Sequence, residues 1–272
     1  MTDSGRHPTG STSIGWAQRL RRDSHLVRLL APRELRIRYR QSSVNILWAF
    51  ITPVAVLLVY GLVLTQTFGV TTSCAPYLVS AWAGLVVWTF FASSVGSAVN
   101  SMVQSADLMQ KLYFPREALP MSAVAAATLE LLVGLVALVV ITLIAGVPIG
   151  WNALWSVVPL LLVLIWTTAV SILVAVLAAF TRDVVHGVSL LLRVGFFATT
   201  VMYEAEQVPP AMAWSVELNP LSVAITELRN SLFCDLGPSW RLLGIHLVVA
   251  VLLLVGSLLY SRSVETRIVD VV

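Results

Sequence analysis

Apolar runs fill this chain, and the polar breaks between them are few. Six runs carry almost no charge: about 44–67, 78–100, 117–146, 153–180, 186–203 and 241–261. A helix rises ~1.5 Å per residue, so about 20 apolar residues cross a hydrocarbon layer roughly 30 Å thick. The alternation that a barrel strand needs is missing, and helices are the other way to satisfy every backbone group in lipid. The pattern therefore predicts an all-α membrane protein with six transmembrane helices. The fifth run is short. Beyond it, Asn219 followed by Pro220 reads as a helix start, because the Asn side chain caps open amides and Pro sits well in a first turn. Two short outer helices are expected before the last span, one ahead of Asn219 and one from Pro220 to about Phe233.

Composition agrees with the pattern. Of 272 residues, 58% are hydrophobic and 11% charged, against about 25% charged in soluble domains. Charge then orients the spans. Nine arginines precede the first run, among them Arg36, Arg38 and Arg40, and positive-inside logic places that terminus in the cytoplasm. Six spans return the C-terminus to the same side. The long loop 204–240 is acidic, as suits an outer loop, so the net charge of +3 reflects topology and not nucleic-acid binding. Residues 1–15 are rich in Gly, Ser and Thr and read as disordered. Residues 16–43 form a basic cytoplasmic segment with apolar and arginine side chains on different faces, an amphipathic helix for an anionic inner leaflet. The membrane-spanning body is 44–261, and 262–272 is a cytoplasmic tail.

One stretch breaks the apolar pattern. QSADLMQKLYFPREALP, residues 104–120, holds the only lysine of the chain, Lys111, with two prolines and three more charged side chains. It falls within a cytoplasmic loop, 101–117. That lysine follows Gln110, so the chain has no GxxxxGK[ST] loop for ATP phosphates. HExxH and GxSxG are also missing, and the four histidines lack metal-ligand spacing, so neither an enzyme nor a metal site is expected.

Two charges fall inside spans, Glu130 in the third and Arg193 in the fifth. A charge near the bilayer centre costs at least ~2.5–3.5 kcal/mol on insertion scales, so each must face protein or water. Two readings stand: a buried pair tying two helices together, or a polar wall of a conduit. Cys74 lies in the loop after the first span and Cys234 in the long outer loop, both on the oxidising side. A disulfide and two free thiols are both compatible with that placement.

ELRIRYRQSSVNILWAFITPVAVLLVYGLVL, residues 34–64, resembles the start of bacterial ABC-transporter permeases that export polysaccharides and polyol phosphates, although Asn45 stands where many members have Gly. LMQKLYFPREALPMSAV is similar to that family's cytoplasmic element before the third span. TRDVVHGVSLLL is similar to its entry to the fifth, and LNPLSVAITELRNSLF to its Asn-Pro segment before the last. The family's third span often carries an acid where Glu130 stands. Together these motifs cover about residues 30–262 in order.

The resemblance implies a bacterial inner-membrane, multi-pass permease in which two copies pair and two copies of a separate cytoplasmic ATPase bind ATP and Mg; no cofactor is implied in this chain. It places Asp107, Met109, Gln110, Lys111 and Tyr113 on a coupling element that receives the ATPase. Arg36, Arg38 and Arg40 would flank the portal where the head group of a lipid-linked glycan enters. Trp48, Tyr60, Trp82, Trp88, Phe90, Phe197 and Tyr203 are the candidate conduit aromatics, because sugar rings slide along aromatic faces. Interface belts of Trp and Tyr are the competing account of these residues. The polymer classes handled by such permeases include O-antigen, teichoic acid and galactan, and sixteen arginines against one lysine, a sign of a GC-rich genome, lean toward galactan. The alternative is a permease for a drug or small lipid; an enzyme acting on lipid-linked sugars and a scaffold protein rank below it.

Overall fold

The structure, a computed structural model, describes residues 27, 29–32, 34, 51, 54–61, 63, 72–105 and 115–264. All regular elements among them are helical. The described positions between 51 and 63 are helical, within the expected first span. Seven α-helices follow among the described residues: α1 (Tyr77–Gln104), α2 (Ala118–Ile144), α3 (Val157–Phe180), α4 (Asp183–Ala198), α5 (Ala213–Leu218), α6 (Pro220–Phe233) and α7 (Trp240–Ser263). A 3-10 turn, Trp151–Ser156, leads into α3. Four helical segments are long and apolar enough to cross a membrane: Tyr77–Met102, Ala118–Ile144, Trp151–Phe180 and Trp240–Ser263. The disorder expected at 1–15, most of the basic segment at 16–43 and most of the tail fall outside the described residues.

Small side chains explain why these helices pack. In lipid there is no hydrophobic drive between helices, so close van der Waals contact must hold them. Ala83 and Ala98 of α1, Ala123 and Ala127 of α2, and Ala175 and Ala178 of α3 are all essentially inaccessible. α1 lies against α2, α3 and α4, while α7 lies along α3. The outward rows stay apolar and exposed, as in Leu132 and Val136 of α2 and Leu252 and Leu259 of α7. Such bands suit contact with lipid and would be unusual on a soluble monomer.

Helix ends follow local chemistry. α2 stops at Gly146, whose φ of +68° disfavours any side chain. Val147 N–H donates to Thr142 O and Gly146 N–H to Leu143 O, which closes the last turn as a Schellman motif. Asn219 caps α6 by accepting from the amides of Leu221 at 3.0 Å and Ser222 at 3.5 Å. The two outer helices expected around Asn219 are α5 and α6. The fifth run differs from its expected 186–203 bounds: α4 runs from Asp183 to Ala198, and 199–203 form a turn that is buried as far as Met202. At ~1.5 Å per residue its 16 residues cover about 24 Å, less than a hydrocarbon layer. α6 then lies within the bundle, packed on α3 and α1 and largely buried.

Candidate functional site

Two features dominate the end of the bundle where the chain passes from α4 to α7: a polar clamp and an aromatic face. The clamp centres on Arg229 of α6, 5% exposed. Its Nε donates to Ser80 O at 3.0 Å, Nη1 to Thr200 O at 2.8 Å and Tyr203 O at 2.9 Å, and Nη2 to Val201 O at 2.7 Å. One guanidinium thus holds the start of α1, the turn after α4 and α6 together. Burial pulls its pKa down to about 10, against the nearby charges of Glu204, Tyr77 and Glu206, so it stays cationic at neutral pH. The approach is close enough to require glycine at position 84, where an added Cβ would sit 2.5 Å from Val201 O and 2.7 Å from Arg229 Nη2.

Carboxylates and a disulfide extend the clamp. Glu204 accepts from Ser73 N–H at 3.1 Å, from the Ser73 hydroxyl at 3.0 Å and from the Ser80 hydroxyl at 3.2 Å. Buried Glu227 accepts from Ser239 N–H at 3.0 Å, ahead of α7. Asn219 donates to Thr199 Oγ1 at 2.9 Å, joining the end of α4 to the start of α6. Cys74 and Cys234 are bonded, with Cα atoms 5.1 Å apart, which selects one of the two thiol states left open by the sequence.

The aromatic face lies beside the clamp. Phe196 and Phe197 of α4 meet edge to face at 5.2 Å between ring centroids. Tyr60, from the helical stretch before α1, lies 6.2 Å from Phe196 and 6.4 Å from Phe197. Trp88 of α1 reaches Phe196 at 5.9 Å and Phe91 at 5.6 Å. Tyr203 donates its hydroxyl to Phe197 O at 3.2 Å, and burial raises its pKa. Phe197 remains 61% exposed, so this cluster has an open edge.

The structure thus gathers Tyr60, Trp88, Phe197 and Tyr203 and adds Phe91 and Phe196, which sequence reasoning passed over. Adjacent Phe196 and Phe197 were the available signal. Trp82 and Phe90 do not join them. Trp82 is 2% exposed and donates its indole N–H to Gly134 O at 3.2 Å, making it a joint between α1 and α2, and Phe90 is 1% exposed within the core. Glu130 and Arg193 do not pair: Glu130 accepts from the Ser93 hydroxyl of α1 at 2.9 Å, whereas Arg193 is exposed on α4. The cause is packing, since α4 lies on α1 and α3, away from α2. Arg36, Arg38, Arg40, Trp48, Asp107, Met109, Gln110, Lys111 and Tyr113 lie outside the described residues.

Buried Arg116 and Glu117 immediately precede α2. Glu117 Oε1 accepts from Arg262 Nε at 3.1 Å, linking the start of α2 to the last turn of α7.

Apolar outer bands around a buried helical core mark a polytopic helical membrane protein. Residues 25–233 match the family model of the ABC-2 type transporter, and the chain belongs to that family. It is therefore an integral inner-membrane transport subunit and not an enzyme. The chain is 31% identical over 202 residues to the O-antigen export system permease protein RfbA of Myxococcus xanthus, covering 74% of this chain and 77% of that protein. It is 26% identical over 248 residues to the Klebsiella pneumoniae protein of the same name, covering 90% of this chain and 94% of that one.

Proposed function

We propose that this chain is the membrane subunit of an ABC exporter that moves a lipid-linked polysaccharide from the cytoplasm across the bacterial inner membrane, driven by a separate ATPase subunit. The open aromatic edge of Tyr60 and Phe197 carries the reading. Ring C–H groups of sugars pack on aromatic faces without fixed hydrogen bonds, so a polymer can advance along them. Similarity over 90% and 74% of the chain to two proteins named as O-antigen export permeases favours glycan over drug or small lipid.

Two copies pair in this reading, with the first span and α4 of each facing the shared path. Two ATPase copies bind ATP and Mg and dock on the 101–117 loop through Asp107, Met109, Gln110, Lys111 and Tyr113. Arg36, Arg38 and Arg40 flank the entry portal. The Glu117–Arg262 pair passes movement of that loop to α2 and α7 together. Depletion of the chain should make lipid-linked glycans accumulate, as measured by mass spectrometry of extracted lipids. Unchanged glycan pools with neighbouring genes intact would sink the polysaccharide reading.

A further inference from the structure

Helix α4 carries a polar stripe along an otherwise apolar element. Arg182 at its N-cap, His186, Ser189, Arg193 and Phe197 follow at spacings of four, three, four and four residues. With 3.6 residues per turn, each step stays within about 60° of the last, so the five side chains share one face. All five are exposed. A neighbouring face, with Val185, Val188 and Leu192, about 110° round the helix from the centre of the stripe, packs on α1 and α3. Among the described residues none of Arg182, His186 and Arg193 has an ion-pair partner, and Ser189 donates only to Val185 O, at 2.9 Å. The acid on the same helix, Asp183, is in its first turn.

A row of this kind cannot face hydrocarbon, and a fixed acid does not fit it well. Arg182 and Arg193 are eleven residues apart, about 16 Å along a helix. A single carboxylate from another subunit would neutralise one cation and leave the rest. A phosphate that travels along the helix meets each in turn, and arginine's planar fork matches phosphate oxygens two at a time. The stripe runs into Phe197, at the open edge of the aromatic cluster, where the sugar rings would follow.

We infer that Arg182, His186, Ser189 and Arg193 form an anion track for the phosphate group of the lipid-linked substrate, with Arg193 as the station next to the aromatic edge. This rests on the export reading above. The track leads from the helix end next to Thr181 toward the clamp.

The test uses the full-length chain in phosphatidylcholine nanodiscs, with farnesyl pyrophosphate and farnesol as probes and tryptophan fluorescence as the readout, since Trp88 contacts the cluster. Arg193→Gln should weaken farnesyl pyrophosphate binding at least tenfold and leave farnesol unchanged, while Arg193→Lys should stay within about threefold of the parent. Arg182→Gln and His186→Gln should each give smaller losses. Equal affinity for farnesyl pyrophosphate in Arg193→Gln overturns the track, as does an equal loss for farnesol. Reduced cross-linking between two copies with pyrophosphate binding intact would assign Arg193 to an acid of the second copy and also overturn it. Loss of pyrophosphate binding in phosphatidylglycerol nanodiscs would assign the stripe to bilayer head groups instead. Glycan accumulation on depletion tests the export reading separately, so a chain that passes that test and fails this one loses only the track.

Discussion

Arg229 holds four carbonyl oxygens with one guanidinium, and no acid shares the bonds. Replacing it by methionine keeps much of the bulk and leaves those carbonyls buried. Each loses a bond to a charged donor worth ~1.5–3 kcal/mol, so Arg229→Met should lower the unfolding temperature in detergent sharply, measured by thermal shift. Arg229→Lys should recover little, because an ammonium cannot present the same fork. In the sequence Arg229 is visible only as a cation in an acidic loop. Its burial depends on Gly84, 145 positions earlier, and no local pattern links the two. Glu130 and Arg193 make the complementary case: hydropathy located both charges, but which helix faces each one is a matter of packing.

Among the elements, the long apolar runs are the most legible. Each of α1, α2, α3 and α7 is close to an expected span, because length and hydropathy together leave little else for such a run to do in lipid. The cap at Asn219 was equally readable, since it depends on two adjacent residue types. The end of α4 was not. Thr199 to Tyr203 are polar enough for a turn and apolar enough for a helix, and the contacts with Arg229 and Asn219 decide it. The 104–120 insert belongs at this level too. Replacing Asp107 through Lys111 with Gly-Ser should leave the chain inserted, by membrane fractionation, and abolish export. Export at parental rate would mean that the ATPase docks elsewhere.

Taken as one molecule, the bundle is fastened at both ends. At one end Arg262 holds Glu117 across 145 positions, and at the other Cys74 is bonded to Cys234 across 160. Disulfides typically contribute ~2–4 kcal/mol, so a Cys74→Ser, Cys234→Ser double variant should unfold at lower temperature. A non-reducing peptide map of the parent should yield the linked pair, and finding both thiols free would remove this fastening. Residue order alone is enough to establish a helical membrane protein, since insertion in lipid depends on the length and polarity of contiguous runs, and its motifs resemble those of a family of exporters. The sequence also carries the cation row of α4, at helical spacing. Folding in three dimensions settles which aromatics share a face, which charges find partners and where α6 lies. Those outcomes depend on contacts between residues far apart in the chain, made possible by small side chains at helix crossings, and local periodicity does not encode them.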